Sequence, residues 1–99
     1  MGDDGREAIR HAITAQVKMR RRMEHSVASS VSDLSLSGFR LRTHMKLAAG
    51  CDIALTLPGL EARWAKIVWV RGFEAGCRFH EPLHPAILDD LIRRSMRKA

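Results

Sequence analysis

The sequence predicts an all-β fold with one C-terminal helix: a six-stranded antiparallel β-barrel, organised as a single domain over residues 1–99. Three observations carry that prediction. Six short segments between residues 13 and 80 alternate apolar and polar side chains, the period of a half-buried strand. Turn-forming clusters separate them, the sharpest being Pro58-Gly59. Beyond Pro85 the apolar period lengthens to that of a helix. Regularly spaced strands with no helix between them pair as antiparallel neighbours, and 99 residues suffice for one modest core.

Each element has its own signature. Residues 13–19 read Ile-Thr-Ala-Gln-Val-Lys-Met, apolar at odd positions and polar at even ones. Ile9, Ile13 and Val17 also recur at helical spacing, so a helix from about Arg6 to Met23 competes; β-branching and clean alternation favour the strand. Arg20 to His25 form a charge-dense connection, and residues 26–32 resume as a strand with Val27 and Val31 on one face. Asp33 to Gly38 is a turn-forming cluster. Phe39 and Leu41 alternate with Arg40 and Arg42 in the third strand. After a turn at Ala48-Ala49-Gly50, Cys51, Ile53, Leu55 and Leu57 mark the apolar face of the fourth. Residues 62–70 make a longer Trp- and Val-rich strand closed by Gly72, and residues 75–80 a short last one. Over 85–97, Ile87, Leu88, Leu91, Ile92 and Met96 form one helical stripe. Pro85 suits its first turn, and the late Arg93, Arg94, Arg97 and Lys98 complement the helix dipole and pair with Asp89 and Asp90.

Composition narrows the function. Lys and Arg number 17 against 11 Asp and Glu, a net charge of +6 that favours phosphorylated or polyanionic partners. No apolar run approaches the ~20 residues of a membrane span, and the N-terminus lacks the apolar core of a signal peptide. Met1-Gly2 invites myristoylation, but Arg6 stands where that signal needs Ser or Thr. The expectation is a cytoplasmic domain with Cys51 and Cys77 reduced and buried. Catalytic signatures are missing: no nucleophile elbow, no phosphate-binding loop, no His-Glu-x-x-His and no tyrosine. His11, His25, His44, His80 and His84 read as surface or capping residues, so neither an enzyme nor a metal site is expected. Arg20–Arg22 and the basic tail read as solvated charge, and Trp64 and Trp69 as packing residues.

One pair of segments stands out. Arg6-x-x-x-Arg10 precedes the first strand, and Asp33-x-Ser35-x-x-Gly38 follows the second, 23 residues after Arg10. On an extended segment, side chains at i and i+4 share a face about 13 Å apart. Arginine binds guanine O6 and N7 or a phosphate through its fork and stacks on a base through its plane. An ionised Asp33 only accepts, and so suits guanine N1–H and N2–H, which adenine does not offer as a pair. Ser35 adds a hydroxyl, and Gly38 permits a positive φ and close backbone approach.

The two motifs, in this order and spacing, resemble the PilZ domain, the bacterial receptor module for cyclic di-GMP. The likeness extends to Gly38-Phe39-Arg40-Leu41, Leu47–Gly50, Ile67-Val68-Trp69 and Gly76-Cys77-Arg78-Phe79, and so covers nearly the whole chain. Gly5 stands where many relatives carry a second arginine beside the first of the pair. The resemblance implies a barrel of PilZ type over 13–80, a ligand-binding N-terminal segment over 1–10, and Arg6, Arg10, Asp33, Ser35 and Gly38 as cyclic di-GMP ligands. It implies no cofactor beyond that ligand. With no segment that reads as an output domain, the expected role is an adaptor signalling to a separate effector through ordering of its N-terminal segment. Two rivals remain: a nucleic-acid-binding barrel using the basic C-terminal helix, and a ligand-free scaffold that binds protein.

Overall fold

The structure, a computed structural model, describes residues 11–97, with side chains described from Thr14 to Arg94. Strands β1 (His11–Arg21), β2 (Val27–Leu34), β3 (Gly38–Arg42), β4 (Asp52–Thr56), β5 (Arg63–Arg71) and β6 (Glu74–Phe79) precede helix α1 (Pro85–Arg97). The six strands close into a barrel in the order β1-β2-β3-β6-β5-β4, with every neighbouring pair antiparallel. Alternation puts Val17, Met19, Val31, Leu41, Ile53, Leu55 and Ile67 inside, all buried. Phe39 and Phe79 meet there in a tilted pair with ring centroids 4.9 Å apart. Each such large side chain contributes about 1.5–3 kcal/mol by leaving water.

The helix closes one end of this interior. Pro85 occupies its first position, where a missing N–H costs nothing, and His84 Nδ1 accepts from the Ala86 N–H at 3.0 Å as a cap. Leu88 and Leu91 join the core, and Arg94 holds Asp90 at 2.8 Å one turn back. The Leu83 N–H donates to the Leu36 carbonyl at 2.8 Å, which fastens the approach to the helix onto the β2–β3 loop. At Pro58-Gly59 the chain turns with Gly59 at φ 73° and the Leu60 N–H on the Leu57 carbonyl, a type II turn as the dipeptide demands.

Four expectations need correction. The first strand runs through Arg20 and Arg21, because Ala54 and Ile53 of β4 pair with them and complete their backbone hydrogen bonding. Their charges stay outside: Arg21 binds Glu24 at 2.9 Å and the Lys46 carbonyl, and Arg20 lies 5.6 Å from the Trp64 ring centre. The second strand ends at Leu34, so Asp33 belongs to the strand's end and not to a turn. Cys51, just before β4, is exposed, whereas Cys77 is buried as expected. Trp64 and Trp69 lie on the outer wall, 43% and 36% exposed, and take no part in the core.

Candidate functional site

The β2–β3 connection is built by three residues with distinct jobs. Asp33 sits at φ 51°, in the left-handed region that Asp and Asn tolerate best after glycine. Ser35 is buried and spends its polar groups on the loop itself. Its N–H donates to the Gly38 carbonyl at 2.9 Å, and its hydroxyl both donates to that carbonyl and accepts from the Gly38 N–H at 3.1 Å. Gly38 has no positive φ; a Cβ there would stand 2.3 Å from the Cys77 carbonyl oxygen of β6. The glycine is needed for close approach of strands, and the left-handed residue is Asp33.

Strand register then assembles a row across the outer wall. Trp69 of β5 pairs with Gly76 of β6, Gly76 with Arg40 of β3, and Arg40 with Ser32 of β2. A bulge between Ile67 and Trp69 turns Trp69 outward. Its indole lies on Gly76, where any Cβ would fall 2.1 Å from the indole nitrogen. The guanidinium carbons of Arg40 and Arg71 stand 5.8 and 5.7 Å from the ring centre, within cation–π range. Arg40 also faces the Asp33 carboxylate at 3.6 Å, too far for a hydrogen bond. Its Nε is buried and has no hydrogen-bond partner among the described residues. An anionic acceptor, a planar cation with spare donors and a half-exposed aromatic ring thus stand side by side. Beneath the ring, a groove of about 120 Å³ runs along Ser37, Gly38, Gly76 and Arg78.

Of the predicted site residues, Asp33 at the end of β2 and Ser35 and Gly38 beyond it come together here, and of the three only Asp33 turns a charged group outward, toward Arg40. Arg6 and Arg10 lie outside the described residues. Composition and motif spacing passed over Arg40, Trp69 and Gly76. A signal was present: the two-residue turn Gly72-Phe73 sets Arg71 opposite Glu74, and counting back along both strands brings Trp69 onto Gly76. Elsewhere, His80 pairs with Asp52 at 2.8 Å on the surface. Among the described residues no group of three His, Cys, Asp or Glu side chains converges to hold a metal, and no helix is long and apolar enough to cross a membrane.

A family model described as PilZ domain matches residues 4–97, a span that includes Arg6, Arg10, the β2–β3 loop, the outer-wall row and the whole helix. No curated protein matches the sequence significantly.

Proposed function

The chain belongs to the PilZ domain family, a family of cyclic di-GMP-binding modules, and on that premise we propose that it is a cytoplasmic cyclic di-GMP receptor that performs no covalent chemistry. The juxtaposition of Asp33, Arg40 and Trp69 carries this reading. The Asp33 carboxylate accepts from guanine N1–H and N2–H, a pattern specific to that base. The same guanine stacks on Trp69, where Arg40 and Arg71 supply positive charge to the phosphates. Arg6 and Arg10 close over the ligand from the N-terminal side, each worth about 1.5–3 kcal/mol as a charge-assisted contact. Ser35 and Gly38 act at one remove, by fixing the loop that aims Asp33. Ordering of residues 1–10 on the ligand is then the local change that a separate effector reads.

Calorimetric titration with cyclic di-GMP and cyclic di-AMP tests this. Tight binding of the first and at least a hundredfold weaker binding of the second is expected, with Arg6→Ala and Arg10→Ala each weakening it about tenfold or more. Amide hydrogen exchange over residues 6–10 should slow on ligand addition. Equal affinity for the two dinucleotides, or alanine variants that bind like wild type, would remove the assignment.

A further inference from the structure

A second recess lies on the same wall, at the barrel end away from the helix. Strands β2 and β3 pair only where Ser30–Ser32 face Arg40–Arg42. Past Arg42 the chain leaves β2 and follows the β5–β6 turn, the Thr43 N–H donating to the Phe73 carbonyl at 3.0 Å. The early part of β2 keeps its register with β1, Lys18 opposite Ala28 and Met19 opposite Val27, but among the described residues no strand pairs with its other side. One side-chain bond spans the gap, the Ser29 hydroxyl donating to Thr43 Oγ1 at 3.0 Å. What remains is a cleft of about 440 Å³ whose walls include Ala28, Ser30, Arg42, His44 and Phe73.

Two features say what fits it. Phe73 sits at the tip of the hairpin turn, 66% exposed, with its ring edge-on to His44 at 5.8 Å. Gly72 at φ 62° makes the turn, and nothing in the turn's geometry calls for an aromatic at the next position. Arg42 and His44 line the cleft, and among the described residues no carboxylate does. Arg42 meets the nearby Glu74 through one terminal nitrogen at 3.3 Å and stays 70% exposed, so its other donors are open to a second carboxylate. An open strand edge recognises an extended backbone, and adjoining pockets select its alternate side chains.

We propose that this cleft docks an extended acidic segment of a partner protein, which adds to the free edge of β2 and seats one apolar side chain against Phe73. The partner lies one register step from the nucleotide row, since Arg42, Glu74 and Arg71 follow Arg40, Gly76 and Trp69 along their strands. The described walls of the cleft all belong to the barrel strands and their connections, so docking is expected without the dinucleotide.

The test is selection of a phage-displayed dodecapeptide library on the full-length protein, followed by anisotropy titration and amide-shift mapping of the synthesised winners. Peptides with Asp and Glu around a large apolar residue are expected. Their affinity should fall at least tenfold on Phe73→Ser and severalfold on Arg42→Gln, with shifts centred on residues 28–30, 43–44 and 73. Failure to enrich any peptide, a neutral or basic consensus, shifts elsewhere, or equal binding by Phe73→Ser would each overturn the proposal. Cyclic di-GMP affinity of Phe73→Ser should match wild type; a tenfold loss would assign Phe73 to the nucleotide row and overturn it too. Peptide capture by a wild type that ignores cyclic di-GMP would support the docking cleft and sink the receptor reading alone.

Discussion

Asp33 answers to a backbone constraint and, on the proposed function, to a ligand as well. Its left-handed φ of 51° restricts the cheap replacements to Asn and Gly, and its carboxylate faces Arg40. Asp33→Asn should therefore melt within a few degrees of wild type while binding cyclic di-GMP at least tenfold more weakly, because an amide is no anionic double acceptor. Asp33→Ala should lose both, with stability down about 1–2 kcal/mol in denaturant titration. The spacing of acidic, hydroxyl and glycine residues marked this loop in the sequence, but not the division of labour within it. The positive φ expected at Gly38 belongs to Asp33, and Ser35 turned inward, since backbone angles and burial are settled by the packing of β3 on β6. The two thiols differ for a similar reason. Burial pushes the Cys77 thiol up to about 12, so iodoacetamide should label Cys51 promptly and leave Cys77 untouched in the native protein. A thiol held protonated in the fold but free to ionise when unfolded lowers stability as pH rises above its unfolded pKa near 9.0. The loss steepens toward ~1.4 kcal/mol per pH unit until the folded group titrates; denaturation midpoints between pH 8 and 11 check it.

At the scale of elements, glycines set how closely β3, β6 and the Trp69 indole approach. A methyl at Gly38 meets backbone, the Cys77 carbonyl, and backbone in a closed barrel has little room to yield. A methyl at Gly76 meets a side chain, which swings away. Gly38→Ala should thus cost about 1–3 kcal/mol of stability. Gly76→Ala should fold with a smaller penalty and lose dinucleotide affinity, because Trp69 no longer lies flat. Thermal melts and titrations on the two variants separate these outcomes. Strand existence was legible from period-two alternation, and the helix from its stripe and Pro85. Less legible were the strand ends, since β1 extends through Arg21 only because β4, more than thirty residues later, pairs with it. The outward Trp69 was hidden by the bulge beside it, which breaks the alternation that a sequence pattern relies on.

Over the whole molecule, charge separates the receptor from the nucleic-acid rival. Asp90 already engages Arg94 on α1, and the basic tail beyond it is far in sequence from the Asp33–Trp69 row. Arg97→Glu with Lys98→Glu should cost at most about 1 kcal/mol of stability. Cyclic di-GMP affinity should scarcely move, because exposed charges are screened beyond ~8 Å at physiological salt. Oligonucleotide binding that vanishes in this variant, together with no dinucleotide binding in either form, would reverse the assignment.

The outward tryptophans give the barrel a pair of built-in optical probes. The chain has two tryptophans and no tyrosine, so its near-ultraviolet emission is theirs. Trp64 lies opposite Ala54 and beneath Arg20, on the seam where β5, β4 and β1 meet. Trp69 lies toward β6, on the row with Gly76 and Arg40 that is proposed to take the nucleotide. Trp64→Phe should leave one lamp on the binding face, quenched and spectrally shifted by a stacked guanine. Trp69→Phe should leave one on the closing seam, blind to the ligand but bright or dim with the joining of β4 to β1. Stopped-flow emission from the two variants would thus time ligand arrival and barrel closure separately, without any added dye.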